Sequence, residues 1–144
     1  MKAYKATYNL KCKTLTYEEG KTYTFKGKLQ MCSTGFHFCQ NPKDTLQYYS
    51  FTKDFILMEI EALGEVITKD NKSVTDILKV TKILSKDETK ILLGIIEDYD
   101  EKGNLIHSKN SSGNEWWNEY DEKGNLTHFK DSNGYEWSIE VNYR

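Results

Sequence analysis

Residues 31–50, MCSTGFHFCQNPKDTLQYYS, decide how the front of the chain folds. Ser33, Thr34 and Gly35 read as a tight turn, with Gly35 supplying the positive φ that residues with side chains resist. Residues 36–39 then alternate as a short strand, with Phe36 and Phe38 on one face and His37 and Cys39 on the other. Asn41 is a natural N-cap. Pro42, the only proline, stands where a first helical residue tolerates a missing N–H. Leu46 and Tyr49, with Thr45 and Tyr48 beside them, give the following helix an apolar stripe. Turn, strand and helix in so short a span predict a compact mixed module rather than a helical bundle.

Outward from that stretch the grammar is β. Residues 2–8 alternate, with Ala3, Lys5 and Thr7 against Tyr4, Ala6 and Tyr8. Residues 9–16 read as a connector carrying Cys12. The 21–32 segment reads as a hairpin turned at Gly27, with 22–25 as its β-rich arm. Residues 55–63 form a long half-buried strand ended or bulged by Gly64, and 65–68 run into the polar turn 69–72. The apolar residues of 74–83 fit helix or strand, with strand favoured over 78–84. Ser85 and Glu88 make an S-x-x-E capping box, which predicts a short helix from Lys86 closed by Gly94.

From residue 97 the chain repeats itself with a shift of 21 residues. Glu97-Asp98-Tyr99-Asp100-Glu101-Lys102-Gly103-Asn104-Leu105 returns as Asn118-Glu119-Tyr120-Asp121-Glu122-Lys123-Gly124-Asn125-Leu126. His107, Gly113 and Trp116 return at His128, Gly134 and Trp137; Tyr99, Tyr120 and Val141 also fall in register. Turns about ten residues apart, flanked by alternating aromatic and polar residues, predict successive β-hairpins. The fold class expected is α+β, mostly β: an α+β module at 1–93 packed as one unit with a β-hairpin meander at 94–144.

Length and composition bound the rest. One domain or two small ones fit 144 residues. Ten Tyr, six Phe and three Trp are not a disordered composition. No apolar run suits a membrane span, and no basic start with an apolar middle marks a signal peptide, so a soluble cytoplasmic protein is expected. Three cysteines are too few and odd in number for a disulfide scaffold, which predicts reduced thiols. The net charge of −2 is unevenly placed: 1–53 carry nine Lys against three acids (+6), and 97–144 carry five Lys or Arg against eleven acids (−6). Each end suits a partner of opposite charge, or the other end.

Two resemblances follow from these motifs. Residues 120–127, YDEKGNLT, with 131–134, DSNG, resemble the YD repeat of Rhs-type and teneurin-like proteins, which implies a β-meander here rather than an enclosing shell. Gly35-Phe36-His37, Asp44-Thr45-Leu46-Gln47-Tyr48, Ile60-Glu61-Ala62-Leu63-Gly64 and Asp70-Asn71-Lys72 make residues 1–85 similar to a group of small phage and prophage proteins. That likeness implies a phage-type setting, where small accessory proteins with an acidic appendage often inhibit host defence, anti-CRISPR proteins among them. A third likeness is looser. A strand after Gly, a helix ending in Tyr-Tyr and a strand bearing Glu59 and Glu61 resemble the core of ADP-ribosyltransferases, which hold NAD, although no His-Gly-Thr or Arg start strand is present and Tyr4 stands at that place.

The leading reading is a non-enzymatic accessory protein that grips a protein partner with a basic surface. The residues expected to do so are Glu115, Trp116, Trp117, Glu119, Tyr120, Asp121, Tyr135 and Trp137, an acidic aromatic set in which neighbouring tryptophans point to opposite faces. The alternatives are an ADP-ribosyltransferase-like enzyme or degenerate NAD-binding fold, and nucleic-acid binding by Lys2, Lys5, Lys11, Lys13, Lys21, Lys26 and Lys28 with Tyr4, Tyr8 and Tyr23. The lack of arginine before Arg144 argues against base readout. No catalytic residue and no cofactor are nominated. Cys12, Cys32, His37 and Cys39 have zinc-ligand chemistry but lack the C-x2–4-C knuckle, so buried thiols and a hydrogen-bonded histidine are the plainer reading.

Overall fold

The computed structural model describes residues 1–140 and 142, and the chain divides into two compact units, Met1–Thr89 and Lys90–Arg144. The protein is mostly β, and every strand pairing within its sheets is antiparallel. Val141, expected in register with Tyr99 and Tyr120, lies outside the described residues.

In the first unit, β1 (Lys2–Tyr8) is central. It pairs with β6 (Phe55–Ala62) along its whole length, Lys2 opposite Glu61 through Tyr8 opposite Phe55. Outside β1 lie β2 (Lys11–Cys12) and β3 (Leu15–Thr16); beyond β6 lie β9 (Ile77–Ile83) and β4 (Thr22–Thr24), so the six-stranded order is β3-β2-β1-β6-β9-β4. A three-stranded sheet joins β5 (Phe36–Phe38), β8 (Lys72–Thr75) and β7 (Val66–Lys69) in the order β5-β8-β7. It meets β1 where Tyr4 and Cys39 exchange backbone hydrogen bonds, both 2.8 Å. The core is built from Ala3, Tyr17, Phe38, Met58, Ile60, Ala62, Leu78 and Val80. Each fully buried Met, Ile or Leu there contributes about 1.5–3 kcal/mol by leaving water.

The quoted stretch folds largely as its residues dictate. Gly35 has φ of +94°, and a Cβ there would lie 2.6 Å from Leu29 Cδ2 and 2.8 Å from Val74 Cγ2, so glycine is needed for space as well as for backbone. Asn41 caps Pro42–Gln47 by accepting the Lys43 N–H, but the segment is a 3-10 helix held by i→i+3 bonds (Tyr48 N–H to Thr45 C=O, 3.1 Å). The capping box is present as expected: Ser85 Oγ accepts from the Glu88 N–H and Glu88 Oε1 from the Ser85 N–H, opening α1 (Lys86–Leu93), and Gly94 follows with φ of +70°.

Two sequence expectations are corrected. The 21–32 hairpin does not form. β4 pairs instead with β9, Tyr23 opposite Leu78, because that distant pairing lets the Tyr23 ring pack edge-on against Tyr17 and Phe36. The 9–16 connector is itself the tiny β2–β3 hairpin, which needs positive φ at Asn9, Leu10 and Lys13. Asn9 is of a type that adopts such a backbone readily, but Leu10 and Lys13 are not.

In the second unit, β10 (Ile96–Tyr99), β11 (Leu105–Lys109), β12 (Glu115–Tyr120), β13 (Leu126–Asp131) and β14 (Glu136–Ser138) form one sheet in sequential order. Its four turns share one device. An Asp or Asn accepts backbone N–H groups two and four residues on, as Asp100 Oδ1 does from Lys102 and Asn104 (both 2.9 Å), and a positive-φ glycine follows. Asn110, Asp121 and Asp131 repeat it.

Candidate functional site

The expected gripping residues divide between the two faces of the second sheet. Register places Trp117 beside His107 and Lys130, and Glu119 beside His128. Glu115, Trp117 and Glu119 therefore share one face. Trp116, Asn118 and Tyr120 alternate to the other, where Phe129 lies opposite Trp137, their rings 6.4 Å apart, and takes Tyr135 at 6.0 Å. Asp121 is spent on its turn. Of the eight residues, only Glu115, Trp117 and Glu119 thus make one continuous acidic aromatic patch. Trp117 is 38% exposed, while Trp116 and Trp137 are half-buried.

That patch contains a repeated triplet of groups that spacing alone did not reveal. His107 joins Asp98 (Nδ1 to Oδ2, 3.0 Å) to Glu115 (Nε2 to Oε2, 2.6 Å), and its ring stacks on Trp117 at 5.4 Å. One repeat later His128 joins Glu136 (2.6 Å) and Glu119 (3.5 Å). The bond to Glu115, then that to Asp98, holds the His107 imidazole above its ordinary pKa; Glu136 chiefly does the same for His128. Each imidazole carries its carboxylates on opposite nitrogens, so the triplet is a clamp across three strands rather than a convergent cation site.

The deeper feature lies in the first unit. A cavity of about 520 Å³ opens between β1, β5, the Cys32–Gly35 turn and the 3-10 helix. Ring-bearing Tyr17, Phe38, Tyr48 and Tyr49 line it together with Lys5, Lys13 and Lys72, and no Asp or Glu is among its described lining residues. β1 positions Lys5: paired with Met58 and alternating with Ala3 and Thr7, it stands on the core face and is 5% exposed. Its ammonium donates to the His37 carbonyl (2.6 Å) and lies 5.7 Å from the Tyr17 ring centroid. Burial pulls its pKa from 10.5 to about 8. Lys72 stands over the Tyr48 ring at 4.7 Å and donates to Cys32 Sγ at 3.6 Å. The Tyr48 hydroxyl donates to Asn71, which donates to Gln47, tying the helix to the β7–β8 turn.

His37 reports the field inside. Burial, then the nearby charges of Lys72, Lys5 and Lys13, drive its pKa down to about 4, so the ring is neutral. Its Nε2 accepts the Cys32 N–H at 2.8 Å. Burial also pushes the Cys39 thiol up to about 11 and the Tyr17 phenol well above its usual range. Among the described residues no group of three or more His, Cys, Asp or Glu stands ready to hold a metal ion, the Cys12, Cys32, His37 and Cys39 set included. Lys5, counted by the sequence reading in a surface basic stripe, is buried and takes no part in one; Lys2, Lys11, Lys13, Lys21, Lys26 and Lys28 are exposed. Glu59 and Glu61, the carboxylates of the transferase-like reading, alternate to the face of β6 away from Lys5, and Glu59 pairs with Lys2 at 3.4 Å. The signal for the cavity was in the sequence: a lysine at an inward register position of a strand, between Ala3 and Thr7.

A family model described as a domain of unknown function, DUF7666, matches residues 1–92. The chain belongs to the DUF7666 family. No curated protein and no solved structure matches it. Every residue lining the cavity falls within the DUF7666 match, whereas β10–β14 lie beyond it. No helix among the described residues is long and apolar enough to cross a membrane.

Proposed function

We propose that the DUF7666 module binds a small anionic ligand carrying an aromatic ring, of the nucleotide class that includes NAD, in the cavity beside His37. The supporting observation is the lining itself: three lysines and several aromatic rings around about 520 Å³ with no acidic side chain among the described lining residues. Pockets of a few hundred Å³ with mostly apolar walls and a few convergent polar groups suit such ligands. The lysines supply the charge complement and the tyrosine rings a stacking surface. This is a binding function: transferase chemistry on NAD calls for a carboxylate at the ligand, and Glu59 and Glu61 lie on the far face of their strand. Calorimetric titration of the intact protein with NAD and with adenosine mono- and diphosphate tests it. Binding that weakens about tenfold, or ~1.4 kcal/mol, in Lys72→Glu is expected. Flat titrations with all three would remove the reading.

A second reading concerns the tail. Its likeness to YD repeats and the phage-type setting suit an accessory protein, of the kind that inhibits host defence, that captures a partner with a basic surface. The exposed Trp117, stacked on His107 and flanked by Glu115 and Glu119, favours it. Trp117→Ala, which leaves the Glu115–His107 and Glu119–His128 pairs in place, is expected to abolish capture of that partner while leaving the thermal midpoint of the free protein nearly unchanged. A large fall in the midpoint would make Trp117 structural.

A further inference from the structure

We propose that Lys5 is an amine nucleophile that holds an anionic aromatic aldehyde in the cavity as a Schiff base. The proposal rests on the reading of the cavity as a site for anionic aromatic ligands and goes beyond the nucleotide class, whose members carry no free aldehyde. Three observations carry it. The first is position: β1 register sets Lys5 opposite Met58 on the core face, in a row with Ala3 and Thr7, where packing alone calls for an apolar side chain. The second is isolation: among the described residues Lys5 makes no ion pair, and its ammonium has a single hydrogen-bond acceptor, the His37 carbonyl at 2.6 Å. A buried lysine without a carboxylate is costly to keep, and one carbonyl acceptor with the Tyr17 ring at 5.7 Å replaces only part of the hydration it loses. The third is access: Lys5 lines the cavity that Lys13 and Lys72 make attractive to anions.

Burial also suits the chemistry, since a lysine brought to about 8 has a useful fraction of neutral amine near pH 7. The neutral Nζ donates its lone pair to the carbonyl carbon, and the carbonyl π electrons pass to oxygen. Proton transfer gives the carbinolamine; loss of that oxygen as water then breaks the C–O bond and forms C=N. Amine plus aldehyde gives imine plus one water, with no oxidation or reduction. The aromatic ring has Tyr17 and Tyr48 at hand, and the anionic group has Lys72. Neutral His37 adds no charge of its own.

The test uses the intact protein with pyridoxal 5′-phosphate as the aldehyde probe and pyridoxine 5′-phosphate, which lacks the carbonyl, as its matched control. The aldehyde is added at no more than one equivalent and trapped with borohydride, and the modified peptide is mapped by mass spectrometry. The expected result is a reduced adduct on Lys5 in preference to the exposed lysines, its yield lowered by competing pyridoxine 5′-phosphate and abolished in Lys5→Met and Lys5→Arg. Circular dichroism verifies that both variants fold, and Lys5→Arg keeps the charge if the apolar replacement perturbs the core. Adducts scattered over exposed lysines, with Lys5 unmodified while the control compound still binds, would overturn the Lys5 proposal and leave the cavity reading standing. Failure of both compounds to bind would overturn the Lys5 proposal, while the titrations with NAD and adenosine mono- and diphosphate decide the cavity reading separately.

Discussion

Replacing Lys5 by Met should make the first unit more stable near neutral pH, and the gain should vanish in alkali. Lys5 is 5% exposed and its pKa falls from 10.5 to about 8, chiefly because burial disfavours the ammonium. At ~1.4 kcal/mol per pKa unit, that difference makes the charged lysine cost the folded state about 3 kcal/mol. Below about 8 both folded and unfolded chains hold the proton, so the whole cost is present. Between about 8 and 10.5 the unfolded chain binds more protons than the folded one, so stability rises with pH; above 10.5 the cost is gone. Met fills a similar volume without charge but leaves the His37 carbonyl without its donor, a loss of about 1 kcal/mol. The net expectation is a gain of about 2 kcal/mol near pH 7 and a loss of about 1 kcal/mol near pH 10.5. At a urea dependence of ~2 kcal/mol per molar, the midpoint should rise by about 1 M near neutrality. Urea unfolding of both proteins, followed by circular dichroism at several pH values, gives the difference directly, since every other titration cancels. An unchanged or lowered midpoint near neutrality, or a gain independent of pH, would refute the reasoning.

Gly35→Ala should cost about 3 kcal/mol or more, because the methyl group meets buried Leu29 and Val74 at a φ of +94°, whereas Gly113→Ala, at similar φ with nothing within 4 Å, should cost only about 1–2 kcal/mol; thermal midpoints compare the two. The His107 and His128 clamps should make the second unit lose stability as pH rises. Both pKa values are raised, so the stabilisation is complete below the ordinary histidine value of ~6.5 and is lost as pH passes through the raised folded values. All three tryptophans belong to this unit, so the fluorescence midpoint in urea should fall from mildly acidic to mildly alkaline buffer, and a His107→Gln, His128→Gln double variant should flatten that slope.

Local chemistry was the legible part of this fold. Gly35, the Asn41 cap, the Ser85–Glu88 box and the Asx-and-glycine turns of the repeat each act within a few residues, and each is found where its chemistry calls for it. What the sequence concealed is non-local. Thr22–Thr24 find their partner on Ile77–Lys79, more than fifty residues away; the one local surprise is the connector after β1, which relies on positive φ at Leu10 and Lys13, residue types that rarely adopt it. The same holds for the sites. Opposite orientation of Trp116 and Trp117 follows from alternation, but the His107 and His128 clamps need the strand register before Asp98, Glu115, Glu119 and Glu136 come together. The cavity was hardest to foresee because its walls come from β1, a turn, a 3-10 helix and Lys72 on another sheet. Lys5 alone carried a local sign of it, and read by charge it merged with the surface lysines around it.

Which end of the molecule binds a small ligand can be measured in one experiment, an amide chemical-shift titration of the isotope-labelled protein with NAD. The account predicts saturable shifts at Lys5, Cys32, His37, Tyr48 and Lys72, around the cavity of the DUF7666 module, with β10–β14 unmoved. Shifts confined to β11–β13 around His107 and Trp117, or none anywhere up to millimolar ligand, would contradict it.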